Sequence, residues 1–169
     1  MARCLGCGAE FPEREGPVHR YMESSPACWA AFGEVLAREY SDPAYFQVHR
    51  LSVDAYAVQH PGRPDPQAIQ SVAVHLIRLC MLLERGLPMQ RANDAMLKAS
   101  ERQDLYRWLE PPVSRGNVTV ADVHHADGVE AHTAVVRRWA ESAWAAWTPH
   151  HATVRSWASS AAASAPTGM

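Results

Sequence analysis

Apolar residues at helical spacing, divided by proline and glycine, constrain the fold of this chain more than any other feature. The clearest stripe recurs at three- and four-residue steps and comprises Ile69, Val72, Leu76, Leu79, Cys80 and Leu83. Such spacing places the side chains on one face of a helix. The segment 61–66 contains three prolines and a glycine, which cannot continue a helix. No convincing period-two strand is present, so the sequence predicts an all-α protein.

Capping residues and breaks divide this pattern into a helical bundle. Ser24-Ser25-Pro26 supplies a capping hydroxyl and a first-turn proline for helix one, and Gly86 is typical of a helix end. Pro149 interrupts the last helical element, where Thr148 is the cap of the restart. The sequence predicts about five helices, covering roughly 24–40, 44–60, 67–85, 88–99 and 135–157.

The domain organisation follows from these elements. Residues 1–158 are predicted to form a single domain, in which a loop-built knuckle (1–25) packs on a helical bundle (26–158). Residues 159–169 are rich in Ala and Ser and are predicted to be a disordered tail.

Composition and charge exclude several classes of protein. The chain has 169 residues, of which 47% are hydrophobic, and its 16 basic and 18 acidic residues give a net charge of -2. This balance argues against disorder and against nucleic acid as a partner. No uncharged apolar run approaches the roughly 18–20 residues of a membrane span, and the N-terminus lacks the apolar region of a secretory signal. We therefore expect a soluble, cytoplasmic protein without a membrane partner.

The strongest local motif is Cys4-Leu5-Gly6-Cys7-Gly8. Two residues between thiolates let one tight turn direct both sulfurs at a single ion. Zinc prefers four ligands, and His19 and Cys28 are the nearest further candidates, giving Cys-x2-Cys-x11-His-x8-Cys. We predict a closed zinc site formed by Cys4, Cys7, His19 and Cys28. A redox Cys-x-x-Cys and inert thiols are the alternatives, although a redox motif normally follows a strand and opens a helix.

Nine histidines suggest a second hypothesis. His49 and His60 share one face of the second predicted helix, His75 borders the stripe of the third, and His150 lies in the last element. A bundle can gather such side chains at one depth to hold a second, open metal site, with Asp54 or Glu130 as a carboxylate ligand. The alternative for each histidine is a hydrogen-bonded core or boundary residue.

Other notable residues have structural interpretations. Cys80 is predicted to be a small buried apolar residue. The tryptophans of the last element, Trp139, Trp144, Trp147 and Trp157, are expected to anchor it in the core. Trp144 lies off the main stripe and is a candidate for a partner face or a homodimer face.

The motifs together resemble a set of small, mostly uncharacterised bacterial proteins that carry a domain of unknown function. The matching segments are Cys4-x-x-Cys7-Gly8, Gly16–Met22, Ser25–Trp29, Val53–Pro61 and Gln70–His75. The similarity covers roughly residues 1–157 and implies no established activity. A looser likeness, in architecture only, is to DinB-like helical bundles, whose metal-dependent members use three histidines in thiol transfer. This chain differs by its N-terminal knuckle and its lack of a clear histidine triad, and fold analogy is weak evidence for function.

The sequence is compatible with two functions from different classes. In the first, zinc is structural and the protein is a module that binds or regulates another protein. In the second, the protein is a metal-dependent thiol transferase or hydrolase, with a second metal among His49, His60, His75 and His150. The number of zinc ions per chain distinguishes them, because the first requires about one and the second about two.

Overall fold

The structure is a computed structural model that describes residues 1–163. Its described part is mostly helical, and its strands form one short antiparallel hairpin at the N-terminus. The hairpin pairs Ala2 with Phe11 and Arg3 with Glu10. The elements in chain order are β1 (Ala2–Arg3), β2 (Glu10–Phe11), α1 (Pro26–Ser41), α2 (Pro43–Phe46), α3 (His49–Gln59), α4 (Pro66–Leu79), α5 (Met89–Ser100), α6 (Val120–His125), α7 (Gly128–Ala146) and α8 (His151–Ala163).

Local sequence explains where most helices begin. The Ser25 and Asp65 side chains accept hydrogen bonds from backbone N–H groups in the first turns of α1 and α4, and a proline follows each cap. Thr119 and Asp122 form a reciprocal capping box on α6. Helix α4 ends in a π-helical turn, Cys80–Glu84, which Gly86 follows with a positive φ of 59°.

The all-α prediction is correct in outline, but the helices are more finely divided than predicted. The described residues form eight α-helices, against about five expected. The second predicted helix is split into α2 and α3, because Asp42 and Pro43 start a separate short helix. The last element breaks at a 3-10 turn, Thr148–His150, as Pro149 indicated.

The predicted tail begins too early. Helix α8 continues to Ala163, and Ala158 and Ala161 are buried in the core, so residues 159–163 belong to the fold. The small residues of this segment allow close packing, which composition alone does not reveal. The rest of the predicted tail, 164–169, lies outside the described residues.

The core lies between α3, α4 and α7, with α8 packed against α4 and α5. Trp139 and Trp147 are completely buried, Trp144 and Trp157 are nearly so, and Cys80 is buried as expected. The segment Pro66–Glu84 has the length and hydropathy of a membrane span, but 61% of its most apolar window is buried inside the protein. Such burial is typical of a core helix.

Helices α1 and α3 are antiparallel, as contacts at both of their ends show. Cys28 in the first turn of α1 lies against His60 at the end of α3. Glu39 near the end of α1 bonds to His49 at the start of α3. This arrangement brings the end of α3 back to the N-terminal hairpin.

Candidate metal centre

Cys4 and Cys7 lie in the turn that connects the two hairpin strands. The Cys4 N–H donates to the Ala9 carbonyl at 2.8 Å, and the Gly8 N–H donates to the Cys4 carbonyl at 2.9 Å. Gly8 has a φ of 79°, a left-handed conformation that glycine adopts without strain. The closed turn directs both thiols inward, and both are buried.

Cys28 enters the cluster from the first turn of α1. Its backbone N–H donates to the capping Ser25 hydroxyl at 3.2 Å, which fixes the start of the helix. Its sulfur is completely buried and lies 3.8 Å from the Cys7 sulfur. The positive end of the helix favours a thiolate at this position.

His60 completes the cluster from the C-terminal end of α3. Its Nδ1 donates to the Tyr56 carbonyl at 2.7 Å, since a carbonyl can only accept, and this leaves Nε2 as the free ligand atom. Nε2 lies 3.5 Å from the Cys4 sulfur and 3.4 Å from the Cys28 sulfur. The imidazole also stacks on the Tyr56 ring. A backbone acceptor behind a histidine in this way is the usual arrangement at metal sites.

The four ligand atoms of Cys4, Cys7, Cys28 and His60 all lie within 4.8 Å of one another. All four residues are buried. Among residues 1–163, this is the one group of three or more such side chains close enough to share an ion. The arrangement can hold a metal ion, and it brings together the hairpin, α1 and α3.

The electrostatics of the cluster favour a cation. Hydrogen bonds from Cys28 and Cys7 lower the pKa of the Cys4 thiol far below its usual range. The hydrogen bond between Cys7 and Cys28 acts to lower the pKa of Cys7. The hydrogen bond between Cys7 and Cys4, burial and the charge of Cys4 outweigh this effect and raise the pKa of Cys7 to about 12. The bonds with Cys4 and Cys7, and then burial, raise the pKa of Cys28. One thiol therefore ionises readily and opposes ionisation of the other two, a penalty that a divalent cation removes.

A known protein family matches most of this chain. Residues 2–148 match the sequence profile described as "Family of unknown function (DUF5946)". The chain belongs to DUF5946. The match confirms the resemblance to uncharacterised proteins and includes the hairpin, α1 and α3. Searches of curated proteins and of solved structures found no match.

In this DUF5946 chain, His19 does not join the cluster. Its Nδ1 accepts hydrogen bonds from the Tyr21 and Met22 N–H groups, at 3.3 and 3.2 Å. Its ring lies edge-on to Tyr21 and Trp29, and partial burial lowers its pKa. His19 thus stabilises the loop before α1. The fourth position of the cluster, which the sequence analysis assigned to His19, is occupied by His60.

The four histidines of the predicted second site are dispersed, each with its own partner. His49 bonds to the Glu39 carboxylate at 2.8 Å, and His75 bonds to Asp54 at 2.7 Å. His150 lies against the Glu110 carbonyl, and His60 belongs to the cysteine cluster. Asp54 is also held by Arg78, so it is engaged in a buried ion pair. The alternative of hydrogen-bonded core or boundary histidines therefore describes His49, which is buried, and His75, which is half-buried.

Arg115 and Gln59, which the sequence did not single out, connect the cysteine turn to the bundle. One Arg115 nitrogen donates to the Gly6 carbonyl at 2.7 Å, and more weakly to the Leu5 and Gln59 carbonyls. The Gln59 amide donates to the Arg115 and Val118 carbonyls, and Gln59 accepts from the indole N–H of Trp139 on α7. No local motif marks these residues, since each acts on backbone groups distant in sequence.

Proposed function

We propose that this protein is a zinc-binding helical protein in which one zinc ion, held by Cys4, Cys7, Cys28 and His60, has a structural role. The distances between ligand atoms carry the proposal. Zinc bonds of about 2.3 Å to sulfur and about 2.0–2.1 Å to nitrogen require, in a tetrahedron, about 3.8 Å between sulfurs and about 3.5 Å between sulfur and nitrogen. The corresponding separations are 3.8 Å for Cys7–Cys28, 3.5 Å for Cys4–His60 and 3.4 Å for Cys28–His60.

A closed ligand set supports a structural rather than a catalytic role. Three thiolates and one imidazole fill the tetrahedron, whereas catalytic zinc keeps one position for water or substrate. The ligands come from the hairpin, α1 and α3, so the ion would cross-link parts of the chain that are 56 residues apart. The His49, His75 and His150 side chains bond elsewhere, so residues 1–163 offer no second metal site of the kind that the alternative, a metal-dependent enzyme, requires.

Under this proposal the protein acts by binding or regulating another protein, in a compartment that keeps thiols reduced, such as the cytoplasm. Neither nucleic acid nor a membrane is a proposed partner, because the net charge of -2 gives no general attraction to phosphate backbones or anionic lipids. A homodimer remains an alternative for the partner.

Zinc content tests the ligand assignment. Elemental analysis of protein purified without chelators should find about one zinc per chain in the wild type and in His19→Ala, and much less in Cys7→Ser and His60→Ala. His19→Ala is the matched control, since it removes an imidazole outside the cluster. Equal zinc content in His60→Ala and wild type would refute the assignment, and two ions per chain would favour the enzyme.

A further inference from the structure

A cavity of about 430 Å³ lies beside the cysteine turn. Its walls come from two segments that are distant in sequence, residues 3–8 of the hairpin and residues 113–116 of the loop before α6. The Arg115 bonds to the Gly6 and Leu5 carbonyls hold these segments together. The cavity is thus built by tertiary structure on a braced turn.

Two guanidinium groups with unused donors line this cavity. One terminal nitrogen of Arg115 bonds to backbone carbonyls, while its other N–H groups have no hydrogen-bond partner within residues 1–163. Arg3 lies over Gly8, within 3.3 Å of the position that a Cβ would take there, and its guanidinium has no hydrogen bond to the described residues. Ser114 is a further polar residue in the lining. An anion would satisfy these groups together.

The charge balance favours a phosphate group over a single carboxylate. Arg3 and Arg115 carry two positive charges, and a phosphate monoester carries about −1.5 to −2 near pH 7. Two nearby negative charges weaken the attraction of the cavity for an anion. A zinc ion with three thiolates has a net charge of −1, and Glu23 lies near Arg115. Three acceptor oxygens can bond to donors on different walls, whereas a carboxylate pairs best with one guanidinium.

The size and rim of the cavity favour a phosphate group that is part of a small organic molecule. The volume exceeds that of inorganic phosphate, and Leu5 and Val113 expose apolar side chains beside it, at 78% and 107% of the reference area. We propose that this cavity binds a phosphorylated small molecule, with its phosphate between Arg3 and Arg115. The inference goes beyond the proposed metal site, because the two arginines rather than the ion contact the phosphate.

Titration of the full, metal-loaded chain with inorganic phosphate tests the proposal. Amide NMR signals of Gly6, Gly8 and Gly116 should shift in a saturable way at constant ionic strength. Arg3→Gln should raise the Kd by about tenfold, equivalent to about 1.4 kcal/mol, because Arg3 is exposed and serves the cavity alone. Arg137→Gln, an exposed arginine on α7 with the same charge change, should leave the Kd unchanged.

Three results would overturn the proposal. They are the absence of saturable shifts, equal weakening by Arg3→Gln and Arg137→Gln, and tighter binding of citrate than of phosphate. The first would show that the cavity binds no phosphate, and the second that only overall charge matters. The third would show that the site selects carboxylates. The zinc content of the same samples reports separately on the metal assignment.

Discussion

At the scale of single residues, the backbone at Gly6 passes very close to the His60 ring, which belongs to the proposed metal site. A Cβ at this position would overlap the Cδ2 atom of His60 and the carbonyl oxygen of Glu23. The φ of Gly6 is not positive, so space rather than conformation demands glycine here. The His60 ring is itself fixed by Tyr56 on its other side, through the carbonyl bond and ring stacking, and has little freedom to move.

We expect Gly6→Ala to weaken zinc binding about 10- to 100-fold, because the added methyl group displaces His60 from its ligand position. Competition with a fluorescent zinc chelator measures the affinity. Gly33→Ala is the matched control, since Gly33 is exposed on α1 and nothing lies within 4 Å of its added Cβ. This control should bind zinc normally and gain about 0.5–1 kcal/mol of stability. Normal zinc affinity in Gly6→Ala would contradict the expected displacement.

At the scale of elements, a buried carboxylate joins α1, α3 and α7. Glu39 on α1 is completely buried and accepts hydrogen bonds from His49 Nδ1, His132 Nε2 and the Ser52 hydroxyl. Burial acts to raise the Glu39 pKa, but the bonds from His132, His49 and Ser52 outweigh it and lower the pKa below its ordinary value. The carboxylate is therefore ionised in the folded protein and fixes the mutual positions of three helices.

Replacing Glu39 by glutamine should destabilise the protein by about 3–5 kcal/mol, since the new amide nitrogen faces a donor and one of the two buried histidines loses its acceptor. Denaturant unfolding measures the difference. Glu34→Gln on the same helix is the control, because Glu34 pairs with His124 at the surface and should contribute less than about 1 kcal/mol. Equal effects of the two substitutions would show that Glu39 has no special role.

The same carboxylate gives a pH dependence with a definite sign. Because folding lowers the Glu39 pKa from 4.5, its contribution to stability is complete above about pH 4.5 and is lost as pH falls through the lower folded value. Below about pH 4.5 the stability of the wild type should therefore fall more steeply than that of Glu39→Gln. Parallel pH profiles would indicate that other carboxylates determine the acid transition.

At the scale of the whole molecule, the cluster of Cys4, Cys7, Cys28 and His60 links the N-terminal hairpin to the bundle. The hairpin strands have only two residues each, too short for independent stability, and residues 12–25 contain no helix or strand. Phe11 and Ala9 are buried, but most of residues 12–18 are exposed. Metal binding is thus expected to account for much of the stability of this part of the fold.

Removal of zinc should lower the melting temperature by roughly 8–16 °C, which corresponds to a loss of about 4 kcal/mol in a chain of this size. Calorimetry before and after chelation, with zinc removal verified by elemental analysis, measures the change. His60→Ala is the control, because a variant that has already lost its zinc should show little further shift. An unchanged melting temperature in chelated wild type would show that the site does not stabilise the fold.

The sequence by itself determined the helical class, the main breaks and three members of the cysteine–histidine cluster, because these depend on local chemistry. Apolar periodicity, prolines and capping hydroxyls act within a few residues, and Cys4, Cys7 and Cys28 lie close together in the chain. The fourth member required tertiary structure. His19 was the nearest histidine in sequence, but the antiparallel return of α3 brings His60 to Cys28. If α1 and α3 are assumed to pack antiparallel, the end of α3 lies beside the start of α1. That assumption points to His60, which directly follows the last turn of α3.

Tertiary structure alone also decided the roles of the remaining histidines and the position of the cavity arginines. Helical spacing places His49 and His75 on inward-facing surfaces but does not say which carboxylate each one meets. Glu39 and Asp54 supply those acceptors from other helices, so each histidine bonds to its own carboxylate. Arg3 and Arg115 are 112 positions apart and meet at one cavity only because the loop before α6 folds back on the cysteine turn. Such encounters depend on packing between distant segments, which no local pattern encodes.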